Sequence, residues 1–236
     1  MSSARLGPPD ILRRLHLKFS ANLDSALTIE NSNLAVIEIK AQALGQCGPI
    51  MAQLEPITAA TPYLAKVAEE VFADVVSSVY VASIGLVRPA HMILRRALEL
   101  GVAVIYLWDL PHLFWGWKDC DQDLVFSEMI DHLEGKNYRA FLTRAISLPN
   151  DRPILDGKSF RRIYRIASNT THGKLATHKV VSGDGFDHDE TEWTGHMALV
   201  DEAITQILSL WFIRFPKLSA DISLAVPAYS RVCSEV

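Results

Sequence analysis

The sequence predicts an all-α protein, a single compact helical bundle of about seven or eight helices. Three observations lead there. Apolar residues recur at spacings of three and four in segment after segment, the period of a helix with one buried face. Proline and glycine fall where those runs begin and end. Alternating β-branched runs are nearly absent, with residues 177–181 the one short strand-like stretch. With 49% hydrophobic and 21% charged residues in a chain of 236, the composition is that of a globular protein able to bury one sizeable core.

The elements follow in order. Asp10, after Pro8-Pro9, is placed to cap a helix over 10–27, with Leu12, Leu15, Phe19, Leu23 and Leu27 on its apolar face. A second helix is predicted over 33–44, stopped by Gly45, with a loop from Cys47-Gly48-Pro49 to Pro56. Thr61 as cap and Pro62 at the first helical position start a long helix reaching about Val87. Pro89 fits the first turn of the next helix, 88–108. The aromatic-rich stretch 109–117 breaks the pattern. Helices are expected at 119–133 and 136–147, then a loop over 148–153. A helix over 158–172 follows, with Gly173 as its left-handed C-terminal cap. An acidic, glycine-bearing loop leads into a last helix over 192–215, and the stretch after Pro216 reads as less regular. This divides the chain into N-terminal helices (1–60), a bundle (61–216) and a tail (217–236).

Several function classes are excluded at this level. A net charge of −4 argues against a dedicated basic nucleic-acid packager. Cys47, Cys120 and Cys233 are far apart and form no C-x-x-C, so a zinc ribbon or thioredoxin-type motif is absent. Sparse cysteines point to reduced thiols and a cytoplasmic location. The first ten residues hold no apolar signal region. The most apolar runs, 79–87 and 100–108, are well under the roughly 20 residues that span a bilayer, so no membrane contact is expected. No phosphate-binding glycine loop or nucleophile elbow occurs, and no cofactor is called for.

The sign of the charge reverses between Lys158 and Lys179. That stretch has no Asp or Glu, and it carries Lys158, Arg161, Arg162, Arg165, Lys174 and Lys179 beside His172 and His178. Such a segment suits an anion, of which RNA or a nucleotide phosphate is one kind. On a helix, the step from Arg165 to His172 turns through about 700°, so the two share a face with Ser168 and Asn169 between them. A guanidinium can clamp a phosphate through paired hydrogen bonds, and an imidazole moves protons near neutral pH.

These residues resemble the HEPN superfamily, whose hallmark is an Arg and a His a few residues apart near the end of a late helix. The segments Leu94-Arg-Arg-Ala-Leu-Glu99 and Tyr164-Arg-Ile-Ala-Ser-Asn-Thr-Thr-His-Gly173 are similar to a pair seen in bacterial HEPN-like proteins. The resemblance covers roughly residues 60–215. It implies a metal-independent RNA endonuclease of a toxin or phage-defence type, acting as a homodimer with two motifs facing one cleft. His172 would do acid–base chemistry and Arg165 would hold the scissile phosphate. Asn169 or Ser168 would orient the phosphate or the imidazole. Arg161, Arg162, Lys174 and His178 would bind substrate, and Arg95 and Glu99 would support the site from behind. The spacer is at the long end of the family's range, and Ile166 stands where active members carry a polar residue. Other members are non-catalytic, which leaves a second reading: a nucleotide- or RNA-binding scaffold subunit working with a partner protein of a defence or toxin–antitoxin system.

Plainer readings stand beside these. His172 next to Gly173 suits a helix cap, and the arginines suit a solvated face. Arg95–Glu99 and Arg96–Glu99 suit internal ion pairs that fix helix packing. His172, His178, His188 and His196, with Asp184, Asp187, Asp189 and Glu190, lack the spacing of a tight metal site, so no metal is expected. His91, His112, Trp115 and Trp117 read as structural.

Overall fold

The computed structural model describes residues 10–29, 33–54, 58–149, 152–169 and 186–234, and every element among them is a helix. Eleven occur, in the order α1 (Asp10–Leu27), α2 (Leu34–Met51), α3 (Thr61–Ser83), α4 (Val87–Asp109), α5 (Pro111–Asp119), α6 (Phe126–Glu134), α7 (Lys136–Ile146), α8 (Gly157–Asn169), α9 (Glu190–Arg214), α10 (Pro216–Ala225) and α11 (Pro227–Ser234). The all-α class is as expected; the helices outnumber the seven or eight anticipated.

The antiparallel hairpin of α3 and α4 is the most extensive contact in the fold. α2 lies along α3, and α9 packs on α4, α2 and α3. α8 lies on α4 and touches α6 and α9. A single connected core links them; Leu94, Leu98 and Ile105 of α4 and Trp193 and Trp211 of α9 belong to it, all essentially sealed from solvent. α4 and α9 pack tightly at Gly101, where an added Cβ would stand 2.8 Å from Ile207 Cγ1. There the Trp211 indole Nε1 donates to the Gly101 carbonyl at 2.8 Å.

The differences from expectation have local causes. α2 runs past Gly45 and includes Pro49. Gly48 does not stop the helix; it lets α2 approach α3, since a Cβ there would sit 2.9 Å from the Ala65 carbonyl oxygen. Thr61 is the first residue of α3 instead of its cap, and its hydroxyl accepts from the Thr58 amide at 2.9 Å. α3 ends at Ser83, short of Val87. The aromatic stretch expected to be irregular forms α5, started by Pro111 and anchored by the buried Phe114. The helix expected from residue 119 begins only at Phe126, after Asp121 takes a left-handed φ of 54°. The tail expected to be less regular is helical: Pro216 and Pro227 each stand at a helix start, and Leu218 and Ile222 bury against the rest.

α1 matches its expected bounds, and the middle of its expected face is covered: Leu15, Phe19 and Leu23 are half-buried beside the buried Asn22 and Ala26, whereas Leu12 and Leu27 at its ends remain 59% and 60% exposed. α1 is held along one narrow line: Asn22 donates to the Ile84 and Phe186 carbonyls, Phe19 meets the Phe186 ring edge-on at 5.9 Å, and Lys18 pairs with Asp187.

Candidate functional site

α8 carries the motif arginines, and its own sequence explains its start. Asp156, just before it, accepts from the amides of Lys158 (3.1 Å) and Ser159 (3.2 Å) and from the Ser159 hydroxyl (2.8 Å). Those bonds, the hydroxyl's first, hold the Asp156 carboxyl below the usual carboxylate range. Phe160, Ile163 and Ala167 bury one face of α8 on α4 and its neighbours, which turns the arginines outward.

The three arginines have different surroundings. Arg161 donates to Glu134 at 2.8 Å and Asp131 at 2.5 Å, both on α6. Arg162 pairs with Glu202 of α9. Arg165 is exposed and makes no ion pair among the described residues. Ser168 is buried at 6% exposure, and its Oγ has no hydrogen-bond partner among the described residues. Asn169 closes α8 and is half-buried. His172, Lys174, His178 and Gly173 lie outside the described residues, as does the strand-like stretch 177–181.

The Arg95–Glu99 pair forms as expected, with Nε donating to Oε1 at 3.1 Å. It reaches α8 through Tyr164. Arg95 Nη2 donates to the Tyr164 hydroxyl at 2.6 Å, and the guanidinium lies 4.7 Å from the ring centroid. Phe126 of α6 stacks on the same ring at 4.2 Å, nearly parallel at 6°. Burial first, and then Glu99 beside the hydroxyl, push the Tyr164 phenol above its ordinary value, so it stays protonated. The nearby Ser168 hydroxyl opposes that shift slightly, too poorly placed to count as a hydrogen bond. Arg96, read as a second partner of Glu99, turns instead to α3. It donates to both Asp74 oxygens at 2.6 and 2.7 Å and stands 3.4 Å from Glu70.

Tyr164 is thus the site residue the sequence reading passed over. Its signal was position alone: an aromatic hydroxyl one residue before Arg165 and one turn before Ser168, on a helix facing an Arg/Glu pair. Arg161 and Arg162, expected to bind substrate, are held by carboxylates. Exposed pairs of this kind are worth about 0–1 kcal/mol, so a phosphate can compete for either arginine.

Among the described residues, no group of three or more His, Cys, Asp or Glu side chains is placed to hold a metal ion. No helix among them is long and apolar enough to cross a membrane. Neither a family model, nor a curated protein, nor a solved structure matches this chain.

Proposed function

We propose that this chain is a metal-independent RNA endonuclease of the HEPN type, working as a two-fold dimer in which Arg165 and His172 of each copy face one cleft. One observation carries the reading. On α8, Arg161 and Arg162 are engaged by carboxylates, whereas Arg165 is presented to solvent without an ion pair among the described residues, on the helix that runs toward His172. An exposed guanidinium on a helix clamped by Phe126 and Arg95 through Tyr164 is a pre-oriented phosphate ligand.

The chemistry is transesterification. One His172 imidazole takes the proton of the ribose 2′-hydroxyl, whose oxygen attacks phosphorus. The bond to the 5′-oxygen breaks, and the second copy's imidazolium protonates that leaving oxygen. Arg165 offsets the charge that builds on the phosphoryl oxygens. Two imidazoles are needed, and an isologous dimer brings them together. In this reading the protein acts in the cytoplasm as a toxin or phage-defence effector.

A second reading has its own support. Asp131, Glu134 and Glu202 stand beside the motif arginines and reduce the positive field around Arg165. That suits a non-catalytic subunit that holds one nucleotide or RNA phosphate, alone or with a partner protein.

Purified protein incubated with single-stranded RNA in EDTA separates the two. The nuclease should sediment as a dimer at micromolar concentration and leave cyclic phosphate ends. Arg165→Ala and His172→Ala should each abolish cleavage without altering the circular dichroism spectrum. Binding that weakens with salt, without turnover, supports the second reading. Cleavage that survives both substitutions sinks the assignment.

A further inference from the structure

Away from α8, four buried ring nitrogens have no hydrogen-bond partner among the described residues: His91 Nδ1, His188 Nε2, Trp193 Nε1 and His196 Nδ1. All lie on the early part of α9, the residues leading into it, or the face of α4 opposite. Buried polar atoms without a protein partner are rare in folded proteins, and a cluster of them calls for an explanation. His91 and His196 are in contact, their ring centroids 5.0 Å apart at 38°. His196 is 1% exposed.

The hydrogen bonds fix the His196 tautomer. Ser78 Oγ donates to the Ala90 carbonyl at 2.8 Å, which uses its one proton. Its contact with His196 Nε2 at 2.9 Å therefore has the ring nitrogen as donor. This pattern assigns the proton of neutral His196 to Nε2, leaving Nδ1 as a buried lone pair without a partner among the described residues. Any second proton must go to Nδ1, placing a full charge in the core against the His91 ring.

We infer that Ser78, His91 and His196 form an acid-operated latch that ties α9 to the α3–α4 hairpin while both imidazoles are neutral and releases the first half of α9 when the pair takes up a proton. The groups that face the pair are the Ser78 hydroxyl and Ala90 carbonyl from the hairpin, and Glu192 from α9 itself. Release would also loosen residues 186–189, which α1 grips through Asn22, Phe19 and Lys18 and where Asp189 caps α9.

The direction with pH follows from the two shifts. Burial pushes His91 below its ordinary value, with Glu192 opposing. Burial, and then His91, push His196 down to about 3. Both folded values lie below the free value of 6.5, so the latch contributes fully above that pH. Its contribution is lost as pH falls below 6.5, toward about 3 for His196.

The test uses the full chain, the variant His196→Gln, which keeps an N–H donor for Ser78 but cannot gain a proton, and His91→Gln. At about pH 7.5, ring nitrogen NMR shifts should report His196 protonated at Nε2 and bare at Nδ1. Between about pH 7 and pH 4.5, amide exchange corrected for intrinsic rates should speed at least about tenfold in the first half of α9 relative to its second half. His196→Gln should flatten that difference, and His91→Gln, which removes one of the two imidazoles but leaves the buried His196, should reduce it. If His196→Gln loses its native circular dichroism, His91→Gln alone reads the effect. A His196 that titrates near the free imidazole value, or an acid profile identical in all folded proteins, overturns the latch.

Discussion

Arg161, Arg162 and Arg165 look alike in the sequence and differ in the structure because of what lies across from each. Glu134 and Asp131 meet the first, Glu202 the second, and no described carboxylate the third. Tyr164 has the opposite character, buried on one side and bonded at its hydroxyl. Tyr164→Phe leaves the stack on Phe126 but removes the bond to Arg95, so it should lower unfolding stability by about 1–2 kcal/mol, read as a lower urea midpoint with unchanged slope. Arg165→Ala, at an exposed position, should stay within about 0.5 kcal/mol of the parent. A large loss from Arg165→Ala would mean that the guanidinium holds the fold together and is not reserved for a ligand. The charge reversal and the Arg165 position were legible in the sequence. The neutralising carboxylates were not, because they come from α6 and α9, far away along the chain.

Most helices were legible because their apolar period is strong, and their bounds were misplaced where proline or glycine had two meanings. Pro111, Pro216 and Pro227 begin helices, a role open to proline because the first turn needs no donor from it. Gly48 and Gly101 lie inside helices because another helix passes over them. Gly101→Val tests the second case. Ile207 already occupies the space of the new side chain, so α4 and α9 must separate or Ile207 must leave its rotamer. A destabilisation of about 1–3 kcal/mol is expected from overpacking. A neutral or stabilising result in thermal unfolding would show that the contact has slack and that the glycine is incidental there.

At the scale of the molecule, three of the polar ties between helices far apart in sequence involve buried side chains of α2, α3, α4 and α9. Lys40 of α2, 6% exposed, donates to Asp201 at 2.7 Å and Thr205 at 2.9 Å on α9. The Ser78–His196 bond joins α3 to α9. Asp109, with its side chain 4% exposed, takes three bonds from Arg214 at the end of α9, at 2.6, 2.8 and 3.1 Å, and one from Tyr138 of α7 at 2.7 Å. Burial and the neighbouring Asp109 push the Tyr138 phenol far up, so it remains a donor at any ordinary pH. Asp109→Ala would strand the Arg214 charge in the interior. The expected loss is about 3–5 kcal/mol, larger than for Tyr164→Phe or Arg165→Ala. Chemical denaturation reads it directly, and a loss under about 1 kcal/mol would mean that water reaches Arg214 and solvates it.

What the sequence determined by itself was the helical class, the order of the main helices and the basic segment on α8, because these depend on local period and local charge. Which arginine remains available, that Asn22 is buried on α1 while Leu12 and Leu27 are not, and that the Arg95–Glu99 pair serves Tyr164 were decided only by the tertiary structure. So was the tautomer of His196. Each depends on a partner brought near by packing, and a partner distant along the chain leaves no mark on the spacing of the residues it meets.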